Sequence, residues 1–185
     1  MKKEKYIEAI IEVLKEEGLG LSMETIAQRI GVTKKTLYNR FSSKEAMLDD
    51  CLEQISNDFM ESLSCMDDES VPIPVRLERG INCLRHYFKK MSHTFERDLQ
   101  EMYPQKASID HSNGSTFFEN KIAENIVKGK EEGIYRADVD SVLFAKYISY
   151  SIFSFFRKKV MMEQDYPAEY YFKQVINFNI NALLA

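Results

Sequence analysis

The sequence predicts an all-α protein in which a small head of three helices precedes a larger helical body, with about nine helices in all. Apolar residues recur every three or four positions along most of the chain, no segment alternates with a period of two, and no internal repeat is found. Of the 185 residues, 44% are hydrophobic and 29% are charged, so a sizeable core can form beneath a well-solvated surface. The composition therefore favours a folded chain over a disordered one.

The first two helices are predicted from an apolar stripe and from residues that begin and end helices. An amphipathic helix is expected over residues 4–17, and Gly18 ends it. Ser22 can accept a hydrogen bond from the first turn of a second, short helix, which Gly31 ends. We expect the two helices to pack together, because neither can bury its apolar stripe alone.

A third and a fourth helix follow at once. Thr33 is the predicted N-cap of the third, so the chain reads helix, tight turn, helix. Ser42 or Ser43 can cap the fourth, whose apolar stripe over residues 48–63 is too long for the small head to bury. We therefore expect the fourth helix to connect the head to the body.

The body is predicted to contain the remaining helices. Residues 65–74 are polar, acidic and closed by prolines, which indicates a loop. An apolar stripe over 77–102, at alternating steps of four and three, predicts one long helix or two nearly collinear ones. A polar loop is expected over 104–114, after which Ser115 can cap a helix that Gly133 ends.

The last two helices are apolar on more than one face. One is predicted from Val139 to about Met162, and the other begins near Pro167. A helix that is apolar all round must be buried all round, so we expect these helices to pair with those of a second copy in a two-fold dimer. The candidate interface residues are Phe144, Ile148, Ile152, Phe155, Phe172, Val175, Ile176 and Asn179.

Positive charge is concentrated between Gln28 and Lys44. The whole chain has a formal net charge of −4, which argues against a protein that coats nucleic acid indiscriminately. This window nevertheless carries Arg29, Lys34, Lys35, Arg40 and Lys44 and no acidic residue. A basic patch within an acidic protein is a candidate surface for phosphates.

The predicted third helix presents side chains suited to DNA on its outer face. At 100° per residue, Lys35, Tyr38 and Asn39 point outward, and Lys34 and Thr36 flank them. Lysine offers donors to guanine or phosphate, and asparagine can pair in two-point fashion with adenine. Tyrosine can reach a phosphate with its hydroxyl. The pattern therefore predicts sequence-specific DNA binding by this helix.

The segment Met1–Leu48 resembles the N-terminal domain of TetR-family regulators. The resemblance rests on the ordered set Ile26-Ala27, Gly31-Val32, Thr36-Leu37-Tyr38, Phe41 and Ser43-Lys44-Glu45. It implies that the third helix is the recognition helix and that Tyr38 and Lys44 contact backbone phosphates. The DNA-binding residues expected from the face and the resemblance together are Ser22, Thr33, Lys34, Lys35, Thr36, Tyr38, Asn39, Arg40 and Lys44.

Two positions depart from the pattern of the family. Lys35 stands where a small residue such as glycine is frequent, and Arg40 stands where histidine or tyrosine is common. These departures affect which operator sequence is expected. The expectation of DNA binding itself rests on the rest of the motif.

The resemblance also implies an organisation and a function. A helix-turn-helix DNA-binding domain is expected over residues 1–46, and a ligand-binding and dimerisation domain over 47–185. The implied protein is a cytoplasmic homodimer that represses transcription at an imperfect palindrome until a small, largely apolar effector releases it. The candidate ligand-binding residues are Phe59, Leu63, Leu84, Tyr87, Phe88, Met91, Phe95, Met102, Phe118, Ile122, Tyr147 and Tyr150. The alternative is a helical dimer whose degenerate helix-turn-helix serves protein contacts.

No motif points to catalysis, a cofactor or a metal. The sequence contains no phosphate-cradling glycine loop and no nucleophile elbow, so an enzyme is not expected. His86 and His93 are two helical turns apart, but a transition-metal site needs three or four convergent ligands. We therefore expect no metal centre and no cofactor.

Neither membrane association nor secretion is expected. The apolar stretch 142–156 is shorter than the roughly 20 residues that a membrane span needs, and it contains Lys146. The N-terminal residues show no secretory apolar run. Cys51, Cys65 and Cys83 are far apart in sequence and form no C-x-x-C pair, which is typical of reduced thiols in a cytoplasm.

Overall fold

The computed structural model describes the backbone of residues 3–161 and 167–185, and their side chains except at 107–113, 156–161 and 168. Within this part of the chain all regular structure is helical, which confirms the predicted fold class. The helices are α1 (Lys3–Glu17), α2 (Met23–Arg29), α3 (Lys34–Tyr38), α4 (Lys44–Ser62), α5 (Ile73–Lys89), α6 (His93–Met102), α7 (Pro104–Glu131), α8 (Ser141–Met161) and α9 (Ala168–Leu183), with a 3-10 helix (Leu63–Asp67) between α4 and α5.

The predicted N-caps of the head are confirmed. The side-chain oxygens of Ser22 and Thr33 accept hydrogen bonds from the backbone N–H three residues later, at 3.1 and 3.2 Å. Of the two candidates for α4, Ser43 is the cap, because its Oγ accepts the Ala46 N–H at 3.0 Å. Gly18 and Gly31 end α1 and α2 with positive φ angles of 92° and 73°.

One prediction about the body is narrowed by the structure, and another was wrong. Of the two alternatives for the long apolar stripe, the structure has two helices, α5 and α6, because Ser92 begins a new helix by accepting the Phe95 N–H at 3.1 Å. The expected polar loop over 104–114 is instead the first part of α7, which begins at Pro104, a residue that tolerates the first turn of a helix. Gly114, read as part of a turn, is buried against the Phe59 ring, where an added Cβ would lie 3.3 Å from Cε1.

The chain divides into two compact units. The first comprises residues 1–58 and 89–111, and the second comprises 59–88 and 112–185. The boundaries fall inside α4 and α7 and before the last residue of α5, so α4 and α7 each contribute several residues to both units. The predicted functional domains, 1–46 and 47–185, are a different division of the chain and stay a prediction.

In the first unit, a buried carboxylate holds the turn that follows α1. Asp98 on α6 is only 8% exposed, and its Oδ2 accepts hydrogen bonds from the N–H groups of Leu19 at 2.9 Å and Gly20 at 3.1 Å. A Cβ at Gly18 would lie 2.5 Å from the same oxygen. The turn can therefore approach α6 because glycine both adopts the positive φ and leaves room for the carboxylate.

In the second unit, a buried polar network joins α5, α7 and the corner after α7. The Asn125 amide donates to the Ile73 carbonyl at 3.0 Å and accepts from the Tyr135 hydroxyl at 3.3 Å. Burial raises the pKa of Tyr135, so its hydroxyl stays a hydrogen-bond donor. The surrounding core is apolar and includes Leu63, Leu77, Ile81, Leu84, Phe118, Ile122, Ile126, Ile148, Ile152 and Phe172.

We predict that Asp98 is a main determinant of the stability of the first unit. Asp98→Ala should lower the free energy of unfolding by about 2 kcal/mol, because it leaves the buried Leu19 N–H without an acceptor. Asp98→Asn should cost less, since an amide oxygen can still accept. Urea titration followed by circular dichroism measures both, with the exposed Glu101→Ala on the same helix as the control. Equal midpoints for Asp98→Ala and Glu101→Ala would contradict this role.

Candidate DNA interface

The candidate recognition helix, α3, is held by two apolar side chains. Leu37 has no exposed surface and Phe41, just after the helix, is 2% exposed. Because these residues anchor one side, the opposite side of a five-residue helix must face solvent. The Thr33 cap fixes where the helix begins, and the hydroxyls of Thr33 and Thr36 lie 2.8 Å apart.

The predicted outer residues are exposed. Tyr38 keeps 49% of its surface accessible, and Thr36 is half-buried beside the cap. The exposed predicted DNA-binding residues are Ser22, Thr33, Lys34, Lys35, Tyr38, Asn39 and Arg40. The Ser22 hydroxyl is also engaged with Thr25, whose N–H and Oγ1 lie at 3.1 and 2.9 Å. The α3 face therefore offers hydroxyl, amide and cationic groups to a partner.

Two of the five positive charges of the basic window are paired with acids outside it. Arg29 donates two hydrogen bonds to the Glu17 carboxylate, at 2.7 and 3.1 Å. These hydrogen bonds raise the pKa of Arg29 and lower the pKa of Glu17. Lys34 lies 3.2 Å from Glu24 in an exposed ion pair. Counting charges along the sequence could not reveal this, since both acids precede the window.

The remaining cations differ in their surroundings. Among the described residues Lys35 has no ion pair or hydrogen bond, and the Arg40 guanidinium lies over the Tyr6 ring at 5.8 Å from its centroid. Cation–π contact leaves the Arg40 donors available, because the ring takes none of its hydrogen bonds. Lys35 and Arg40 are therefore the window's available positive charges.

Lys44 has a structural partner. Its Nζ donates to the Leu19 carbonyl at 2.7 Å, and burial lowers the pKa of this half-buried amine. Leu19 thus has its N–H bound by Asp98 and its carbonyl bound by Lys44. The predicted phosphate contact of Lys44 stays a prediction, and the side chain also stabilises the turn after α1.

Most of the candidate ligand-binding residues lie in the core of the second unit. Phe59, Tyr87, Phe88 and Phe153 form a chain of ring contacts with centroid distances of 4.8, 5.4 and 5.6 Å. Four more of the predicted ligand-binding residues belong to the same core and have no exposed surface: Leu63, Leu84, Phe118 and Ile122.

Five other ligand candidates are placed elsewhere. Met91, Phe95 and Met102 belong to the first unit, in which Phe95 is buried and Met102 is 50% exposed. Tyr147 and Tyr150 on α8 are 58% and 65% exposed, so neither is a wall of the core.

The sequence-predicted dimer residues lie mainly inside their own chain. Phe144 is half-buried, and the buried ones are Ile148, Ile152, Phe155, Phe172, Val175, Ile176 and Asn179. Because these side chains pack in the core of their own chain, their place in a dimer interface stays a prediction. Periodicity alone does not separate the two sides of α8 and α9, since both are apolar. The exposed apolar residues of this region are Val142, Leu143, Tyr147, Tyr150, Tyr170, Phe178 and Leu184.

The described residues show neither a cluster of metal ligands nor a membrane-spanning helix. In the described part of the chain, no three His, Cys, Asp or Glu side chains are grouped as metal ligands. No described helix is both long and apolar enough to cross a bilayer. The exposed side chains of α3 can form hydrogen bonds and attract negative charge, which suits binding to the phosphates and base edges of DNA.

Comparison with known proteins identifies the N-terminal segment. Residues 7–51 match the family model of bacterial regulatory proteins, tetR family, which confirms the resemblance predicted from the sequence. Regulators of this kind act by binding DNA, in agreement with the expectation that the chain is not an enzyme. No curated protein matches the chain by sequence.

Solved structures share the fold over nearly the whole length. A transcriptional regulator from Cytophaga hutchinsonii ATCC 33406 has a TM-score of 0.80 at 15% identity, covering 98% of each chain. The fatty acid degradation regulator FadR from Bacillus halodurans has a TM-score of 0.72 at 20% identity, covering 97% of this chain and 94% of that one. The ketosteroid transcriptional regulator KstR2 of Mycobacterium tuberculosis has a TM-score of 0.62 at 18% identity, covering 100% and 96%. Residues 7–51 therefore match the model of the tetR family of bacterial regulatory proteins, and along its length the chain shares the fold of solved transcriptional regulators.

Proposed function

We propose that the chain is a cytoplasmic, homodimeric repressor that reads operator DNA through α3 and is released by a small, largely apolar effector. The observation that carries the proposal is the exposed face of α3, with Lys35 and Arg40 available, anchored through the fully buried Leu37. Residues 1–46 act as the DNA-binding domain, and residues 47–185 act as the ligand-binding and dimerisation domain.

Contacts to phosphate and to bases are divided among the α3 residues. Tyr38 and Arg40 reach backbone phosphates, which orient the helix without reading sequence. Asn39 and Lys35 carry groups that can read adenine and guanine in the major groove. Thr33 and Thr36 add hydroxyl contacts, although both oxygens already take part in the cap.

We predict opposite effects on operator affinity when Lys35 is removed and when Lys34 is released from its ion pair with Glu24. Lys35→Ala should weaken operator binding by 5- to 150-fold, equivalent to about 1–3 kcal/mol, because it removes an unpaired cation. If Lys35 contacts a phosphate, the slope of log K against log salt should also fall by about 1. Glu24→Gln should instead strengthen binding, since it releases Lys34 from its ion pair. Fluorescence anisotropy with genomic fragments retained by the protein measures both.

The control is Lys90→Ala, which removes an exposed cation outside the basic window. It should leave operator binding unchanged. The assignment of α3 would be contradicted by a folded Lys35→Ala, Tyr38→Ala protein that binds the operator at full strength.

The dimer forms through the exposed apolar stripes of α8 and α9. Leu143, Tyr147 and Tyr150 follow one another at steps of four and three on α8, with 58% to 67% of each residue exposed. α9 adds Tyr170 and Phe178, the latter 69% exposed. The two helices pack together, since the Phe155 and Tyr171 rings stack at a centroid distance of 4.0 Å. Two copies then bury both stripes in a four-helix interface, and two-fold symmetry requires an imperfect palindrome.

We predict that a charge on this face dissociates the dimer. Leu143→Arg combined with Phe178→Arg should give a folded monomer at micromolar concentration, because both side chains lie outside the core of their own chain. Multi-angle light scattering measures the mass. Met102→Arg, at an exposed apolar residue of the first unit, should remain dimeric. A dimer that survives the double substitution would exclude this face.

The effector binds in the core of the second unit. Two buried polar atoms there, Ser149 Oγ on α8 and Arg85 Nε on α5, have no hydrogen-bond partner among the described residues. Buried polar groups are nearly always hydrogen-bonded, so each is a place where a ligand oxygen gains a donor. An effector that is mostly apolar and carries one or two oxygens fits such a core. Fatty acids and ketosteroids, to which the names of FadR and KstR2 refer, have this chemistry and are the first probes.

Helix α4 links ligand and operator. It is continuous from Lys44 to Ser62 and carries the buried residues Met47 and Phe59, which belong to the first and the second unit. An effector that displaces Phe59 therefore acts on a helix that also packs in the head. Thermodynamic linkage is reciprocal: if the effector weakens operator binding by a given factor, it must bind the DNA-free protein more tightly than the DNA-bound protein by the same factor. A coupling free energy of about 1–3 kcal/mol corresponds to a factor of about 5 to 150.

We predict that Ser149→Ala separates ligand binding from stability. The substitution should weaken a bound fatty acid or ketosteroid about 5-fold or more, because it removes a hydrogen-bond donor. It should leave the unfolding midpoint and operator affinity unchanged, since the hydroxyl has no protein partner to lose. Ser151→Ala, whose hydroxyl donates to the Ile148 carbonyl at 2.8 Å, is the matched control and should keep ligand affinity.

Calorimetric titration with and without operator DNA measures both variants. Equal ligand affinity in the two states would show that the ligand binds without controlling the DNA affinity. Equal loss of ligand affinity in Ser149→Ala and Ser151→Ala would reject Ser149 as the contact.

A further inference from the structure

Two of the three cysteines meet in the second unit. Cys65 in the 3-10 helix and Cys83 on α5 are 18 positions apart in sequence, yet their Sγ atoms lie 3.2 Å from each other. Both residues are half-buried, so a small solute can reach them. Cys51 is fully buried in the first unit and has no such neighbour among the described residues.

The contact between the two sulfur atoms is supported by the packing around it. Gly80 on α5 lies directly against Met66, the residue after Cys65, and an added Cβ at Gly80 would overlap the Met66 side chain. Asp68, just after the 3-10 helix, forms an ion pair with Arg79 on α5 at 2.9 Å. The 3-10 helix is therefore fixed against α5 on either side of the thiol pair.

The 3-10 helix also contacts α7. The Lys121 ammonium on α7 donates to both carboxylate oxygens of Asp67, each at 2.7 Å. With α5 and α7 both engaged, the Cys65 backbone is positioned by neighbours rather than by the thiol contact itself. Bond formation needs the sulfur atoms to approach by roughly 1 Å, to the S–S length of about 2.0 Å.

We propose that Cys65 and Cys83 are a modification site at which a peroxide forms a reversible intrachain disulfide. One sulfur displaces water from hydrogen peroxide and becomes a sulfenic acid. The second sulfur then attacks the first, the S–S bond forms as the S–O bond breaks, and the hydroxide leaves with the thiol proton as water. Two thiols and one peroxide give one disulfide and two waters, so the sulfur atoms lose the two electrons that the peroxide gains.

Burial, and then the neighbouring Cys83 Sγ, raise the pKa of Cys65, so oxidation of this thiol should be faster at high pH. Whichever of the two sulfur atoms is oxidised first, the other is already in contact with it and can complete the disulfide.

The disulfide would close a loop of the chain that forms one side of a charged cleft. The closed loop spans residues 66–82, and part of it lines a cleft of about 190 Å³. The cleft is lined by Met66, Asp67, Glu69, Arg76, Lys121, Glu124, Asn125 and Lys128. Because a crosslink restricts the unfolded chain, the oxidised protein should have a higher Tm than the reduced protein. In a reducing compartment, a bond of this kind is transient, which is typical of redox sensing.

The test counts thiols in the full chain. After treatment with hydrogen peroxide and removal of the excess, denatured wild-type protein should react with a thiol reagent at one cysteine instead of three. Its mass should fall by two hydrogens, one peptide map fragment should join Cys65 to Cys83, and dithiothreitol should restore all three thiols. Cys51→Ser should lose two thiols in the same way.

The single variants identify the pair. Cys65→Ser and Cys83→Ser should each fail to form the disulfide and should stop at a sulfenic acid on the remaining cysteine of the pair, which a dimedone probe captures. Circular dichroism checks that both are folded, and Cys65→Ala replaces Cys65→Ser if the latter is not. Three free thiols in the native wild-type protein, under conditions that oxidise the same protein in urea, would overturn the proposal. A disulfide between two chains, or one involving Cys51, would overturn it equally.

Discussion

The burial of Leu37 is the constraint on which the proposed DNA-binding face of α3 depends. A helix of five residues is not stable alone, because isolated helices shorter than about 12 residues are marginal in water. α3 exists because Leu37 is fully buried, Phe41 is 2% exposed, and Thr33 caps its first turn. Those contacts leave only one direction for Lys35, Tyr38 and Asn39, so the same residues that stabilise the head also orient its polar face.

A second constraint acts on the turn between α1 and α2. Asp98 binds the Leu19 and Gly20 N–H groups, and Lys44 binds the Leu19 carbonyl. Every backbone polar group of Leu19 is thereby satisfied in a buried turn, as buried backbone requires. The turn connects the first helix of the head to α2, which packs against α3. A carboxylate and an ammonium distant in sequence thus help to fix the position of α3.

Local signals in the sequence predicted the head well and the body only in part. Ser22, Thr33 and Gly18 act within a few residues, so their roles can be read without tertiary structure. The start of α7 was missed because Asn113-Gly114 resembles a turn, whereas Gly114 lies within the helix, against the Phe59 ring. The exposed stripe of α8 and α9 was missed because both faces are apolar. Asp98 and the Arg29–Glu17 pair depend on residues far apart in the chain, for which periodicity carries no signal.

We propose that the α3 faces of a two-fold dimer bind operator DNA. The most direct measurement is selection of duplexes from a random pool by the full-length protein, followed by sequencing and footprinting. We expect enrichment of an imperfect palindrome whose half-sites are centred about 10 base pairs apart, with major-groove protection in each half. Recovery of sequences with no shared motif, at the affinity of the starting pool, would contradict it.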